Sequence, residues 1–386
     1  MKRVLILCLV FTGLFLCGCN SKEKHVIVQF ACWGSKSEID IIKPVLLEFE
    51  QKNPDIKVDF MHIPQNYFQK IHLLFASNTA PDVIFLNNLY LPVYANAGLL
   101  EPLSINTSEY FPQALDALIW QGKLYAVPRD VSNLAIYYNK DIFDRYNVPY
   151  PNDNWDFDDF LNTAKNLTRD GIFGISFEED ALFFLPYLMS EGGGILSDDL
   201  SEEIIDLPQS QKGLNFYADL RNKYHVAPRK DESASATMAQ MFLQGKLAMH
   251  LCGRWLTPKY IEEARFNWDI APFPKGIKGS IVPLDASGWA VSKSSRHKTE
   301  ALKLINFLAS KEICQKFIKS GLIVPARNDV TNEFLNSAKG SKVFLDIIKT
   351  SKPTPVSLNY HEILDKLTQS LEKKFNETMV SPITSP

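Results

Sequence analysis

The residues able to do chemistry are spread thinly along this chain. Asp158-Asp159 and Asp198-Asp199 are adjacent acid pairs. Carboxylates that cleave a glycosidic bond must face each other across a substrate, and adjacency in sequence does not supply that. Both pairs read as turn or helix-start residues, where Asp is at home. The seven histidines are scattered, with no close pair on a helix, which argues against a zinc site and against histidine-driven nucleophilic catalysis. Phosphate-loop, G-x-G-x-x-G, G-x-S-x-G and H-E-x-x-H patterns are all missing. No catalytic residue, metal or cofactor is therefore expected. Of six cysteines, Cys32, Cys252 and Cys314 lie in the folded body without zinc-type spacing. One pair could close, or all three could be buried small hydrophobes.

The N-terminus carries a different signal. Lys2 and Arg3 precede an apolar run from Val4 to Leu16, which ends in Leu16-Cys17-Gly18-Cys19. Charge, apolar length and the closing cysteine resemble a lipoprotein signal peptide over 1–18. This similarity implies a diacylglycerol on the Cys19 thiol, cleavage before it and acylation of the new amino group. Two or three acyl chains hold a protein on a membrane where one holds it marginally. Residues 19–25 then read as a tether. No later apolar run approaches the roughly 18 residues of a spanning helix.

The elements that would position a site come from hydropathy periodicity. The chain has 386 residues, 46% hydrophobic and 22% charged, with a net charge of −3. That is globular composition without a basic block, so nucleic acid is not an expected partner. Alternating Val26, Val28 and Phe30 predict a strand, and Ile41, Ile42, Val45, Leu46 and Phe49 share one face of a helix that starts or kinks at Pro44. Strands continue over 57–63, 82–86, 134–139, 247–252, 268–273 and 289–292, with helices over 67–76, 89–96, 157–167, 237–243, 298–310 and 358–379. A tight hairpin is expected around Gly122. Strands alternating with helices predict an α/β protein with a mostly parallel sheet. No Gly- or Ser-rich linker separates two halves, so a two-lobed chain must cross between its lobes more than once.

Six segments in order resemble the extracellular solute-binding proteins of family 1, the sugar-binding components of ABC importers. They are Phe30-Ala31-Cys32-Trp33-Gly34 with its following helix; Ala80-Pro81-Asp82-Val83-Ile84 leading to Ala97-Gly98-Leu99-Leu100; Gly122 to Pro128 with Tyr137 to Phe143; Phe242 to Met249 ending Gly253-Arg254-Trp255; Ser287 to Ser292; and Gly321 to Arg327. The resemblance implies two α/β lobes of the periplasmic-binding-protein type, class II, with a ligand cleft between them and a multi-strand hinge. Lobe 1 would hold 26–132 and 286–323, lobe 2 would hold 134–282 and 327–386, and crossings would fall at 130–133, 283–285 and 324–327.

A sugar presents apolar ring faces and hydroxyl edges, so its site needs a flat aromatic and planar polar groups. On the resemblance, Trp255 matches the family's stacking tryptophan, with Arg254 beside it. Trp33 and Ser35 open onto the cleft from the first strand. Asn87 and Asn88 are placed to read hydroxyls. Asp130 and Ser132 lie on the first crossing, Glu179 precedes the Phe183-Phe184 helix, Ser287, Gly288 and Trp289 enter the cleft edge, and Arg327 stands at the last crossing. Core packing is the competing role for the tryptophans, helix capping for Ser35, Asn87 and Asn88, and structural ion pairs for Asp130 and Arg327. Asp82 is expected to be structural and Glu191 to precede a glycine turn.

The family resemblance implies a carbohydrate ligand, ABC permease subunits as partners, and a monomer held by its lipid on the extracytoplasmic face of the cell membrane. A non-sugar solute such as a glycerol phosphodiester or a peptide, a sensory role, and a secreted hydrolase are the alternatives. Arg129, Arg254 and Arg327 are the cleft cations that a phosphodiester would need. Cys19→Ser is expected to release the protein from the membrane fraction or leave the precursor uncleaved; cell fractionation with an immunoblot checks this, and a variant processed and membrane-bound like the parent would contradict it.

Overall fold

A computed structural model describes residues 25–233 and 235–376. The expected signal peptide, Cys19, most of the tether and the end of the chain from residue 377 lie outside the described residues. In chain order the strands are β1 (Val26–Cys32), β2 (Ile56–His62), β3 (Val83–Asn87), β4 (Ile119–Trp120), β5 (Lys123–Leu124), β6 (Ala126–Ser132) and β7 (Leu134–Asn139). They continue with β8 (Phe173–Ile175), β9 (Leu247–Gly253), β10 (Trp268–Ala271), β11 (Pro283–Val291), β12 (Val324–Pro325) and β13 (Lys352–Pro353).

Two sheets organise the molecule into two α/β lobes. The first has the order β12-β6-β11-β3-β1-β2, with β13 added to the outer end of β11. The second has the order β10-β7-β9-β8. The expectation of a mostly parallel sheet needs correcting. β1 is parallel to β2 and β3, but β11 runs antiparallel to both β3 and β6, and β7 is antiparallel to β9 and β10. The reason is connectivity: β11 arrives from the second lobe, travelling back toward the first, and slots between β3 and β6. Its strand is also longer than the predicted 289–292, because Pro283 to Asp285 are themselves extended and paired. Between the two sheets a single residue, the buried Asn133, separates β6 from β7.

Local sequence explains the elements flanking the junction. The first helix, Lys36–Lys52, starts in a capping box: Ser35 Oγ accepts from Glu38 N, and the Glu38 carboxylate accepts from Ser35 N at 3.1 Å. Ile39, Ile42, Val45, Leu46 and Phe49 are buried. The helix neither starts nor stops at Pro44; it runs through, with Pro44 and Asp40 on the exposed face, where water can serve the carbonyl that the missing N–H leaves free. The predicted helices Tyr67–Ala76 and Phe157–Leu167 form over those residues. Asp156 caps the second, with Asp158 and Asp159 in its first turn, so that acid pair is a helix start. Asp199 binds Ser197 and Ser201 in a turn. The β4–β5 hairpin turns at Gln121 and Gly122, both at positive φ (47° and 74°), the backbone of a two-residue turn that matches strand twist.

Aromatic side chains fill both cores. In the first lobe Trp289 lies 4.6 Å from Phe85 and 5.5 Å from Phe30, ring centroid to centroid. In the second, Phe157, Tyr187, Phe216 and Phe273 pack together, and Phe375 of the last described helix, Tyr360–Phe375, closes onto Phe177 and Tyr217. Cys32, Cys252 and Cys314 are buried free thiols.

The close approach of β11 to β6 depends on Gly288. A Cβ there would sit 2.3 Å from the Val127 carbonyl oxygen and 3.1 Å from Leu118 Cδ1, and a strand backbone cannot step aside as a side-chain tip can. Gly288→Ala is expected to lower stability by about 1–3 kcal/mol, the range of overpacking; chemical denaturation measures it, and an unchanged midpoint would refute it.

Candidate functional site

Strand register decides which residues meet where the sheets approach. Ser287 of β11 stands opposite Asn87 of β3 on one side and Asp130 of β6 on the other, and Asp130 in turn faces Pro325 of β12. Four distant stretches thus form one row at the edge of the first sheet. Above it, β9 ends and the chain turns into a short 3-10 helix, Arg254–Leu256. The turn brings Trp255 over a cavity of about 240 Å³ lined by Trp33, Glu38, Arg129 to Ser132, Arg254, Trp255, Ser287 and Leu322 to Val324. Trp33 and Glu38 also line an open groove of about 670 Å³ that runs past Ser35 to His62 and Gln65.

Trp255 is 40% exposed, an unusual position for so large an apolar ring. Its orientation has a physical cause. A Cβ on Gly253 would lie 1.7 Å from Trp255 Cζ3, so the indole rests on the bare backbone of that glycine. Trp33 is half-buried, supported from behind by Phe85 at 4.1 Å and by Tyr67 and Phe68 at 5.0 and 5.4 Å.

The cavity floor is charged but balanced. Arg129 lies buried over the Phe85 ring at 4.2 Å and donates from Nε and Nη2 to the Asp130 carboxylate at 2.9 and 3.2 Å. Its Nη1 stands 2.9 Å from Glu38 Oε1, an ion pair whose angle falls short of a hydrogen bond. Burial pushes the Asp130 carboxyl up, and the Arg129 guanidinium opposes that rise. Two carboxylates and the two guanidinium groups of Arg129 and Arg254 therefore sum to no net charge around the cavity.

Of the predicted site residues, Trp33, Asp130, Ser132, Trp255 and Ser287 share this cavity. The structure gives several others partners within the protein. Trp289 is fully buried against Phe30 and Phe85 and faces no cleft. Gly288 serves the β11–β6 approach. Asn88 is buried and spends both amide ends on the junction: Nδ2 donates to Asp285 Oδ1 and Oδ1 accepts from Ala286 N, each at 3.0 Å. Asn87 Oδ1 accepts from Tyr90 N, a local cap. Ser35 caps the first helix and reaches only the outer groove.

The charged candidates are likewise occupied. Arg254 borders the cavity, but its guanidinium donates away from it, to Gly321 O, Lys339 O and Ser341 Oγ at 3.1, 2.9 and 3.1 Å. Burial without a carboxylate partner lowers it to about 10. Arg327 is bound by Asp329, Glu109 and the Ala309 carbonyl. Glu179 accepts from Arg221 and Asn376 and pairs with Lys230, tying down the far end of the last described helix. Asp82 is structural, accepting from Gln29 N and Ser295 Oγ. Glu191 ends a helix and pairs with Lys212 before the glycine turn.

Glu38 is the lining residue that motif reading missed, although Ser35-x-x-Glu38 is legible as a capping box. A larger hollow of about 480 Å³ beside β13 is lined by aliphatic side chains such as Leu185, Met189, Ile195 and Ile281 together with polar ones such as Asp198, Lys278 and Lys352, and none of the predicted site residues borders it. Among the described residues no cluster of His, Cys, Asp and Glu could hold a metal ion, and no helix is long and apolar enough to cross a membrane.

Comparison with known proteins agrees with this architecture. The family described as bacterial extracellular solute-binding protein matches residues 35–313. The galactooligosaccharide-binding protein of Bacillus subtilis is 23% identical, over 93% of this chain and 89% of its own. An ABC substrate-binding protein of Listeria monocytogenes, solved in complex with cycloalternan, superposes with a TM-score of 0.84 at 27% identity, covering 91% of this chain and 94% of that one. The maltotriose-binding protein of Thermus thermophilus superposes with a TM-score of 0.77 at 21% identity, covering 92% and 95%.

The two tryptophans singled out at β9 and β11 should part company in a stability measurement. Trp289→Ala is expected to cost about 3–5 kcal/mol, as for a core aromatic, while Trp255→Ala should melt near the parent temperature. Calorimetry on both variants decides it, and a large loss for Trp255→Ala would place that ring in the core.

Proposed function

The chain belongs to the bacterial extracellular solute-binding protein family, and from that premise we propose that it captures a neutral carbohydrate between its lobes and delivers it to the membrane subunits of an ABC importer, without chemistry of its own. The observation that carries this reading is the cavity shared by Trp33 and Trp255 with Asp130, Ser132 and Ser287 at its rim. Flat rings suit sugar faces, and a carboxylate and hydroxyls suit their edges. The balanced charge disfavours a phosphodiester, which would need unpaired cations; Arg129 is neutralised, and Arg254 and Arg327 donate to other protein groups. That relatives bind galactooligosaccharide and maltotriose supports the same solute class.

In this proposal lobe 1 comprises 26–132 and 286–323, lobe 2 comprises 134–282 and 327–386, and the crossings at 130–133, 283–285 and 324–327 act as the hinge. Ligand shifts the population toward closure, because it contacts both lobes only when they meet. Trp255 comes from lobe 2 and Trp33 from lobe 1, so a sugar between them links the two. The protein works as a lipid-anchored monomer on the extracytoplasmic face, held by Cys19.

A thermal-shift screen with neutral mono- and oligosaccharides is expected to give a saccharide that raises the melting temperature, since a ligand of the native state stabilises it by mass action. With that saccharide, Trp255→Ala should bind about ten- to a hundredfold more weakly, the loss of one stacked ring at about 1–3 kcal/mol, and Gly253→Ala should also weaken binding by displacing the indole. Titration calorimetry reads both. Full affinity in Trp255→Ala, or stabilisation by phosphodiesters alone, would overturn the proposal.

A further inference from the structure

The helix Tyr360–Phe375 is anchored at its far end in the second lobe, where Phe375 packs on Phe177 and Phe184 and Asn376 binds Glu179. Its near end reaches the first lobe. His361 Nε2 donates to the Leu89 carbonyl at 3.1 Å, and the imidazole lies 4.1 Å from the Tyr90 ring. Tyr90 is stacked on Phe68 at 3.7 Å and 15°. His72 stands beside the same stack, 6.0 Å from Tyr90 and 5.0 Å from Tyr94. One imidazole from the second lobe thus completes an aromatic stack that otherwise belongs to the first.

We propose that His361 is a pH-sensitive latch between the lobes, holding the Leu89-Tyr90 loop when neutral and releasing it when protonated. The inference rests on the hinge reading above. Opposing features bear on the proton. The ring is partly buried, which penalises a cation. It sits in the first turn of its helix, the positive end of the dipole. A second imidazole, His72, would share its charge across Tyr90. Against these, the Leu89 carbonyl and Asp365 of its own helix favour the cation, and the electron-rich Tyr90 face also attracts it. Burial outweighs them, and His361 is held below the ordinary histidine range; His72 is lowered too, by burial and then by His361.

The sign follows. A closed state that keeps His361 neutral binds fewer protons than an open state in which the ring is solvated, so falling pH favours opening. The closing contribution is present above the ordinary histidine value and is lost as the pH drops through the lowered one. An extracytoplasmic protein meets changing external pH, and such a latch would loosen the grip on solute in acid.

The test needs no saccharide. Small-angle scattering on the protein at about pH 8 and about pH 5, either side of the ordinary histidine range, should show a larger radius of gyration at the lower pH. His361→Gln keeps a side-chain donor without a titrating group and is expected to stay compact at both. His361→Ala should show the expanded value at both. A wild-type radius that does not move with pH, a His361→Gln protein that expands like the wild type, or a His361 ring that titrates by NMR at or above the ordinary value would each overturn the latch. A protein that expands as expected yet binds no saccharide would sink the sugar reading and leave the latch standing.

Discussion

Arg129 is the interaction on which the rest of the molecule leans. Its guanidinium is buried between the Phe85 and Phe317 rings and bridges Glu38, at the start of the first helix, to Asp130, on the strand that leaves for the second lobe. Taking such a charge out of water is costly, and removing one partner of a buried pair typically costs about 3–5 kcal/mol because the other is left uncompensated. The arrangement is therefore all or nothing. It fixes the capped helix end, the hinge strand and the cavity floor relative to one another, and it leaves no unpaired cation on that floor.

The second constraint is topological. β11 returns from one lobe to pair in the middle of the other's sheet, and β6 passes to β7 through one residue. Paired strands resist shear along their hydrogen bonds but tolerate a change in twist. Asn88 reinforces this junction by bonding Asp285 and the Ala286 amide. Polar side chains near a hinge face competing demands, and here buried backbone and buried charge claim most of them: Arg254 serves the Gly321 carbonyl, Arg327 the Ala309 carbonyl and Glu179 the buried Arg221.

Aromatic residues divide along the same line. The high aromatic content first suggests ligand contact, but most rings build the two cores, and only a few stay exposed enough to meet a solute. Exposure at Trp255 is created by an absence, the missing Cβ of Gly253, and half-exposure at Trp33 by the stack of rings behind it. Similarity to solute-binding proteins across nine-tenths of the chain is consistent with a scaffold in which loops and strand ends vary the surface of one cleft.

Periodicity in the sequence was enough to determine the strands that open each lobe, helices such as Tyr67–Ala76 and Phe157–Leu167, and the hairpin at Gly122, because each depends on contacts or dihedral preferences within a few residues. The lack of a linker already required a chain that crosses more than once, and the ordered motifs pointed to the family. Tertiary structure alone decided the roles of individual side chains. Trp255 and Trp289 look alike as sequence, each a tryptophan within two residues of a glycine at a strand, yet one rests exposed on Gly253 while the other is enclosed by Phe30 and Phe85. The direction of β11 was equally invisible, since a strand's alternation is the same read either way and only its neighbours reveal whether it pairs parallel or antiparallel. Whether a polar group faces a solute or serves the fold depends on partners hundreds of residues away, such as Asn88 with Asp285, and no local pattern encodes that meeting.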